Sequence, residues 1–235
     1  MIRGFYAARS AVIGQQQNMN VIANNFANIN TMGYKPQQAA FETLLYAKLH
    51  GGAGLMVDVG HGSRVEYTAV NYAQAGLVST GVPTDMAVLG EGFFALTGGE
   101  DGETFYTRDG QFKYSVDGDT KYLVNANGYY VLDAGGAQIE LEADEEITPA
   151  DVGVFRFPNQ HGLSMMGANR LAATEVSGEA EAVEQPDVKA GYLERSGVSA
   201  ATEVVRMIES QRAFSFNTRV LTTIDEMDDV GNQLR

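Results

Sequence analysis

Apolar positions recur at steps of three and four residues over the first thirty positions of the chain. This is the a/d spacing of a heptad repeat, and it predicts one long helix with a seam that packs against a partner. The helix is expected to end at residues 30–33, because asparagine and glycine tolerate left-handed backbone and Pro36 blocks continuation. The predicted seam consists of Met1, Phe5, Ala8, Val12, Gln15, Met19, Ile22, Phe26 and Ile29.

Residues 10–34 carry no charge, although the stretch is rich in glutamine and asparagine. A solvated helix face normally carries charged side chains, whereas a core normally excludes amides because each brings donors and acceptors that need partners. We therefore interpret the stretch as buried against other protein, with its amides paired across the contact. On pattern alone, an ordinary amphipathic helix covering its own domain is the alternative.

The next segments change from helical to strand spacing. Phe41, Leu44, Leu45 and Leu49 predict a second short helix, which stops at the glycine-rich residues 50–54. Beyond it the pattern has a period of two and is punctuated by Asp-Gly and Asn-Gly dipeptides at residues 109–110, 117–118 and 127–128, which are typical hairpin turns. The predicted strands are residues 62–72, 75–80, 86–89, 92–96, 104–107, 111–116, 122–124, 129–132 and 138–141. Residues 142–146 are predicted to form an acidic turn.

Residues 199–229 return to helical spacing, with Ser199 or Thr202 as the candidate cap. Two apolar rows predict a helix with more than one neighbour. The first row is Met207, Phe214, Leu221 and Ile224. The second row is Val205, Ile208, Phe216, Val220 and Met227.

These patterns predict a mixed fold, in which N- and C-terminal α-helices pair as a coiled-coil-like stem and a central all-β domain forms a sandwich or partial barrel. Residues 1–49 and 189–235 are expected to form the discontinuous helical domain, and residues 50–188 the β domain. The net charge is −14. Residues 50–188 carry −16, whereas residues 1–49 carry +3 and residues 189–235 carry −1, so we expect a solvated middle between two interaction segments.

Composition and motifs exclude several classes of function. The absence of a clustered basic face argues against nucleic-acid binding, and the absence of cysteine excludes disulfides and thiolate metal sites. No apolar run approaches about 18 residues, so membrane insertion is not expected, nor is a cleavable secretory signal. The histidines His50, His61 and His161 do not lie at ligand spacing from one another. Residues 117–119 lack the remaining ligands of a calcium loop, so neither catalysis, a cofactor nor a metal is predicted.

Three stretches resemble the bacterial flagellar axial proteins, the rod and hook family. They are VIANNFANINTMGYK at residues 21–35, PTDMAVLGEGFF with FYTRDGQF at residues 83–94 and 105–112, and GYLERSGVSAATEVVRMIESQRAFSFNTRVLTTIDEM at residues 191–227. The resemblance covers residues 1–49, 81–112 and 189–235, in that order. The hook protein of the family usually has a further outer domain, whereas about 140 residues between the helical ends leave room here for one.

The resemblance implies a basal-body rod subunit of the proximal or distal type, located in the cell envelope. Such a subunit is exported by the flagellar type III apparatus without signal cleavage. It polymerises with copies of itself and with other rod and hook subunits into a helical tube that transmits torque. Ring and rod-cap proteins are candidate neighbours. A hook-type axial protein and a secreted or surface binding module with a helical stem are the alternatives, and a hydrolase is a weaker third.

The candidate site is therefore an assembly interface. The N-terminal residues that we expect in it are Phe5, Val12, Met19, Ile22, Asn24, Asn25, Phe26 and Asn28. They are expected to face Met207, Phe214, Leu221 and Ile224 of the C-terminal helix.

Overall fold

The computed structural model describes residues 2–50, 56–98, 102–118, 120–142 and 147–233. In these ranges the chain forms two long helices and eighteen short strands. It divides into two compact units. Residues 1–27, 37–71 and 198–235 form the first, which we call the helical unit, and residues 28–36 and 72–197 form the second, which we call the β unit. The predicted mixed fold is confirmed.

The helical unit is built on two antiparallel helices, α1 (Ile2–Ala27) and α2 (Ala200–Gln233). Their direction follows from the contacts along the pair. A Cβ on Gly4 would lie 3.5 Å from Ile224, whereas Asn25, near the other end of α1, reaches Glu203. The α2 helix begins after Ser199, whose backbone carbonyl accepts the Glu203 N–H at 3.0 Å. It continues beyond its predicted end at residue 229.

The predicted short helix after Lys35 is wrong, because residues 37–43 and 46–50 form strands. Strand β1 (Gln37–Thr43) pairs antiparallel with β4 (Ser63–Val70), and β2 (Tyr46–His50) pairs antiparallel with β3 (Met56–Gly60). The apolar spacing of Phe41, Leu44 and Leu45 resembles a helical face, but pairing with a distant strand decides the conformation. A bulge between Ala40 and Phe41 shifts the register.

The division of the chain also differs from the expected one. Strands β3 and β4 were assigned to the β domain, yet they belong to the helical unit because their partners β2 and β1 lie there. Residues 189–197 were assigned to the helical part, yet they belong to the β unit. Of the predicted helix end at residues 50–54, His50 is the last residue of β2 and the others lie outside the described residues. Asp119 and residues 143–146 of the predicted acidic turn also lie outside them.

The β unit contains the remaining fourteen strands, and all of their recorded pairings are antiparallel. They are β5 (Leu77–Ser79), β6 (Met86–Val88), β7 (Phe93–Thr97), β8 (Thr104–Thr107), β9 (Phe112–Asp117), β10 (Thr120–Asn125), β11 (Tyr130–Val131), β12 (Glu140–Leu141), β13 (Val154–Arg156), β14 (Ser164–Gly167), β15 (Arg170–Ala172), β16 (Glu181–Ala182), β17 (Val188–Ala190) and β18 (Tyr192–Glu194). The main sheet runs β12-β10-β11-β7-β8-β15-β14. Strand β9 joins β10, and β13 joins β7.

Strand β7 lies at the centre of the β unit and is buried on both faces. Phe94 and Leu96 belong to one apolar cluster, whereas Phe93 and Ala95 belong to another. This division follows from the alternation of side chains along a strand. The Phe94 ring meets the Phe112 ring edge-on, with 5.1 Å between the centroids.

The turn dipeptides had different outcomes. The hairpins at residues 117–118 and 127–128 are confirmed, because they join β9 to β10 and β10 to β11. The hairpin at residues 109–110 is wrong, because β8 pairs with β7 and β15 rather than β9. Gly110 serves another purpose, since a Cβ there would lie 1.6 Å from the Met86 carbonyl oxygen. It permits a close backbone approach.

Candidate assembly interface

Burial along α1 follows most of the predicted seam, on a helix that packs against α2, β1 and β4. Ala8 and Ile22 are buried, at 7% and 3% exposure, and Phe5, Val12 and Met19 are half-buried. At the end of α1 the burial differs from the heptad prediction, because Asn25 is fully buried and the predicted seam residue Phe26 is 42% exposed. The seam therefore follows the heptad up to Ile22 and then rotates by one residue.

Polar side chains occupy the middle of the contact between α1 and α2. The buried Ser210 donates its hydroxyl to Oε1 of Gln15 at 2.9 Å and accepts from Nδ2 of Asn18 at 3.4 Å. Two amides of the uncharged stretch are thus paired across the helix contact within one subunit. Such a buried polar layer fixes the register of two helices at a cost in stability.

Asn25 ties three elements of the helical unit together. Its Nδ2 donates to the Gln37 carbonyl at 2.7 Å and to Oε2 of Glu203 at 3.3 Å, and its Oδ1 accepts the Gln37 N–H at 2.9 Å. The amide thereby satisfies both backbone groups of Gln37, as a neighbouring strand would. Glu203 is itself only 2% exposed and accepts from Arg206 at 3.0 Å. Every buried polar group named here has a partner, as burial requires.

The other predicted interface positions vary in burial. Asn24 and Met207 are exposed, the latter by 37%, and Asn28, which belongs to the β unit, is half-buried. The half-buried positions on α2 are Phe214, Leu221 and Ile224. In the second predicted row Val220 is half-buried. The four exposed members of that row are Val205 (54%), Ile208 (44%), Phe216 (68%) and Met227 (56%). An exposed apolar row of this length is typical of a surface that meets other protein.

The β unit holds a buried cluster of three charged side chains that sequence reasoning missed. Nζ of Lys35 lies 2.7 Å from Oε1 of Glu194, and Nη1 of Arg108 lies 3.6 Å from Oε2 of Glu194. All three side chains are at most 5% exposed. Glu194 also accepts the Ala75 N–H at 2.7 Å. Arg108 donates to the carbonyls of residues 88 and 90 and stacks over the Phe93 ring at 5.4 Å.

Burial dominates the electrostatics of this cluster. Desolvation lowers the pKa of Lys35, while the hydrogen bond and the charge of Glu194 act in the opposite direction and the charge of Arg108 lowers the pKa further. Desolvation likewise lowers the pKa of Arg108, against the charges of Glu194 and Glu91. A buried cluster of this kind is stable only while every member is present, because removing one leaves an uncompensated charge.

Backbone hydrogen bonds next to the cluster join residues 33–34 to residues 194–197. The Gly33 N–H donates to the Glu194 carbonyl at 2.8 Å, and the Gly197 N–H donates to the Tyr34 carbonyl at 2.9 Å. Gly33 has a φ of 66°, but it lies in the turn that follows α1, because α1 ends at Ala27 and not at the predicted residues 30–33. A Cβ there would lie 2.5 Å from the Arg108 backbone. Lys35 is the first charge after 25 uncharged residues, which is the one sequence signal that could have marked it.

The described residues offer few side chains suited to metal binding or proton transfer. They contain no group of three or more His, Asp or Glu side chains that could hold a metal. The exposed His61 bonds through Nδ1 to the Leu45 carbonyl at 2.7 Å, and the His161 ring packs on Tyr72 at 5.7 Å. The His50 side chain lies outside the described atoms. Neither of the described helices is long and apolar enough to cross a membrane.

Family models match three parts of this chain. A "Flagella basal body rod protein" model matches residues 5–35, a "Flagellar hook protein FlgE/F/G D1 domain" model matches residues 87–154, and a "Flagellar basal body rod FlgEFG protein C-terminal" model matches residues 189–234. Each match contains one member of the charged cluster: Lys35, Arg108 and Glu194. One residue of each matched segment therefore lies in this cluster of the β unit.

Full-length relatives decide which family this is. The flagellar basal-body rod protein FlgG of Borreliella burgdorferi is 33% identical, over 100% of this chain and 99% of its own length. The FlgG protein of Bacillus subtilis is 32% identical over 97% of each chain. The chain belongs to the FlgG family of flagellar basal-body rod proteins. The hook protein FlgE of Treponema pallidum is 34% identical over 46% of this chain, but over only 25% of its own length.

Membership of the FlgG family gives the chain a structural role as a subunit of the flagellar basal-body rod, and places it at the basal body. The resemblance to the rod and hook family is thereby confirmed. The exposed apolar row of α2 and the amide-rich surface of α1 are consequently the candidate surfaces for contacts between rod subunits.

Proposed function

We propose that this chain polymerises through its helical unit into the helical tube of the rod and transmits torque from motor to hook. Its partners are copies of itself and other rod and hook subunits, and the role is mechanical rather than catalytic. The single observation that supports this best is the exposed apolar row on α2. Four large apolar side chains of that row stand in solvent on a helix whose opposite face is already occupied by α1.

The proposed assembly interface combines the buried seam with this exposed row. Ile22 and Asn25 hold α1 in register with α2 inside the subunit. Phe26 and Met207 are the apolar members of the predicted interface that are exposed, and they remain available to a second subunit. Contacts between two different surfaces of the same molecule repeat without closing, and they generate an open helical filament.

Export is the second part of the proposal. We expect the subunit to leave the cytoplasm through the flagellar type III apparatus without cleavage of a signal, and to order its helical unit on joining the rod. Ring and rod-cap proteins are proposed as further neighbours. An interface that becomes ordered on assembly suits helices with exposed apolar faces, since burial then occurs only at the growing end.

Electron microscopy of labelled basal bodies tests this function. The chain carries a small epitope inserted next to Gly136, an exposed turn of the β unit, and is expressed in cells that lack the untagged copy. We expect label along the rod and normal swarming. Complete rods without label, or label confined to the cell surface outside the basal body, would favour the binding-module alternative.

A further inference from the structure

A groove opens on the helical unit between α1, β1 and α2. It encloses about 380 Å³. Its apolar lining includes Val21 and Ile22 from α1, Ala39 and Phe41 from β1, and Ala213 from α2. The rest of the lining is polar or charged, so the groove is a mixed concave site that accepts a large apolar side chain together with a polar or charged neighbour from a partner.

The groove carries one acidic group that is not already used. Glu209 lines it and is exposed, and no ion pair of Glu209 occurs among the described residues. The nearby Arg206 donates to Glu203 at 3.0 Å and so is engaged within α2. A basic group on the occupant would therefore find an acceptor at Glu209.

An exposed aromatic side chain with an arginine on either side, which we call the knob, lies further along the same helix. Phe216 is 68% exposed, and it has Arg212 four residues before it and Arg219 three residues after it, so all three share one face of α2. Neither arginine forms an ion pair among the residues that the structure describes. Aromatic and arginine side chains are the types most enriched as interface anchors.

We propose that Phe216 of one copy of this chain inserts into the groove of a second copy, with Arg219 opposite Glu209. This rests on the proposed function, because it names the contact through which the copies polymerise. Arg219 has no acidic residue within one turn of its own helix. Arg219 is therefore the base left for a partner. Knob and groove are different surfaces of one unit, so the contact is heterologous and open-ended.

Disulfide cross-linking tests the contact without background, because the chain has no cysteine. One tagged copy carries Ser215→Cys beside the knob, and a second copy with a different tag carries Gln38→Cys at the groove. Both are expressed in cells that lack the natural copy, and basal bodies are purified and oxidised. We expect a covalent dimer that carries both tags. Thr222→Cys, about 10 Å further along α2, replaces Ser215→Cys as the matched control and is expected to give little dimer.

A charge-reversal series covers the case in which the cysteine copies assemble poorly. Glu209→Arg and Arg219→Glu should each reduce the number of complete rods about tenfold, since each places like charges face to face. The double variant should restore the rods. Positions 209 and 219 are about 15 Å apart along the helix, so the restoration has to arise between copies.

The outcomes separate this contact from the function on which it rests. Labelled, complete rods that give no mixed dimer, or as much dimer with Thr222→Cys, would overturn the Phe216 contact and leave the rod function standing. A double variant no better than the single ones would also count against it. Rods that form without this chain would overturn the function itself.

Discussion

At the scale of single residues, the buried charges of Lys35, Arg108 and Glu194 distinguish the interior of the β unit from an ordinary apolar core. Their Coulomb attraction is offset by desolvation, so the cluster is a weak source of net stability. The cluster instead favours the one folded arrangement that brings all three groups together. The three groups come from three distant parts of the chain, and each is acceptable in the interior only when the other two are in place.

Replacing Glu194 by glutamine should therefore destabilise the protein by about 3 kcal/mol, because it leaves two buried cations without their counter-charge. Denaturant unfolding of the full chain, followed by near-ultraviolet circular dichroism, measures this. Arg156→Gln is the control. Arg156 pairs with Glu91 at 3.6 Å, with both side chains more than half exposed, and its loss should change stability by less than about 1 kcal/mol. Equal effects of the two substitutions would show that the buried cluster is dispensable.

Tyr72 offers a test of a buried hydroxyl. Its OH is buried and has no hydrogen-bond partner among the described residues, and burial raises its pKa to about 12. Tyr72→Phe should raise the free energy of unfolding by about 1 kcal/mol at neutral pH, since it removes an unsatisfied polar group and keeps the ring contact with Phe93.

The pH dependence of the same pair of proteins has a defined sign. The folded state holds the Tyr72 proton more tightly than the unfolded state, whose pKa is near 10. The stability contributed by that proton is complete below pH 10 and is lost as the pH rises from about 10 to about 12. The gap in stability between Tyr72→Phe and the natural protein should widen across this window. A constant gap would show that the hydroxyl is not buried in solution.

At the scale of elements, the sequence predicts some features well and others poorly, for physical reasons. Heptad spacing located α1 and two apolar rows located α2, because a helix face is a local pattern, and Asp-Gly and Asn-Gly dipeptides marked two hairpins correctly. Strand β1 was mistaken for a helix, because its conformation depends on β4 and on the Asn25 amide. The cluster around Glu194 was missed, because Lys35 and Glu194 are 159 residues apart and no local pattern links them.

Asn25 gives a prediction at this scale. Asn25→Ala should release both backbone groups of Gln37 and leave Glu203 with one acceptor site unfilled, at a cost of about 2 kcal/mol. Hydrogen exchange should speed up over residues 37–43 before any other strand of the helical unit is affected. Asn20→Ala is the matched control, since Asn20 is exposed and its amide accepts only from Gln16 among the recorded bonds. Unchanged protection of β1 in Asn25→Ala would mean that β4 alone holds the strand.

At the scale of the whole molecule, the helical unit should be the less stable part of a lone subunit. The end of α2 carries Asp225, Glu226, Asp228 and Asp229 but no basic residue in its last turn, which is unfavourable for the helix dipole. Limited proteolysis should cut first in α2 and α1, and leave a fragment that contains residues 72–197. Helices as resistant as the β unit in a verified monomer would contradict ordering on assembly.

Rod assembly by the Ile22→Asp variant is the most direct test of the claim that paired helices build the rod. Ile22 is 3% exposed and lines the groove between α1, β1 and α2, so an unpaired carboxylate there should prevent the helices from pairing. Basal bodies are counted by electron microscopy in cells that express only this variant, with export of the subunit measured alongside. Val116→Asp, at a position 64% exposed on β9, controls for an added carboxylate. We predict exported subunits, no complete rods for Ile22→Asp, and normal rods for Val116→Asp. Normal rods with Ile22→Asp would contradict assembly through the paired helices.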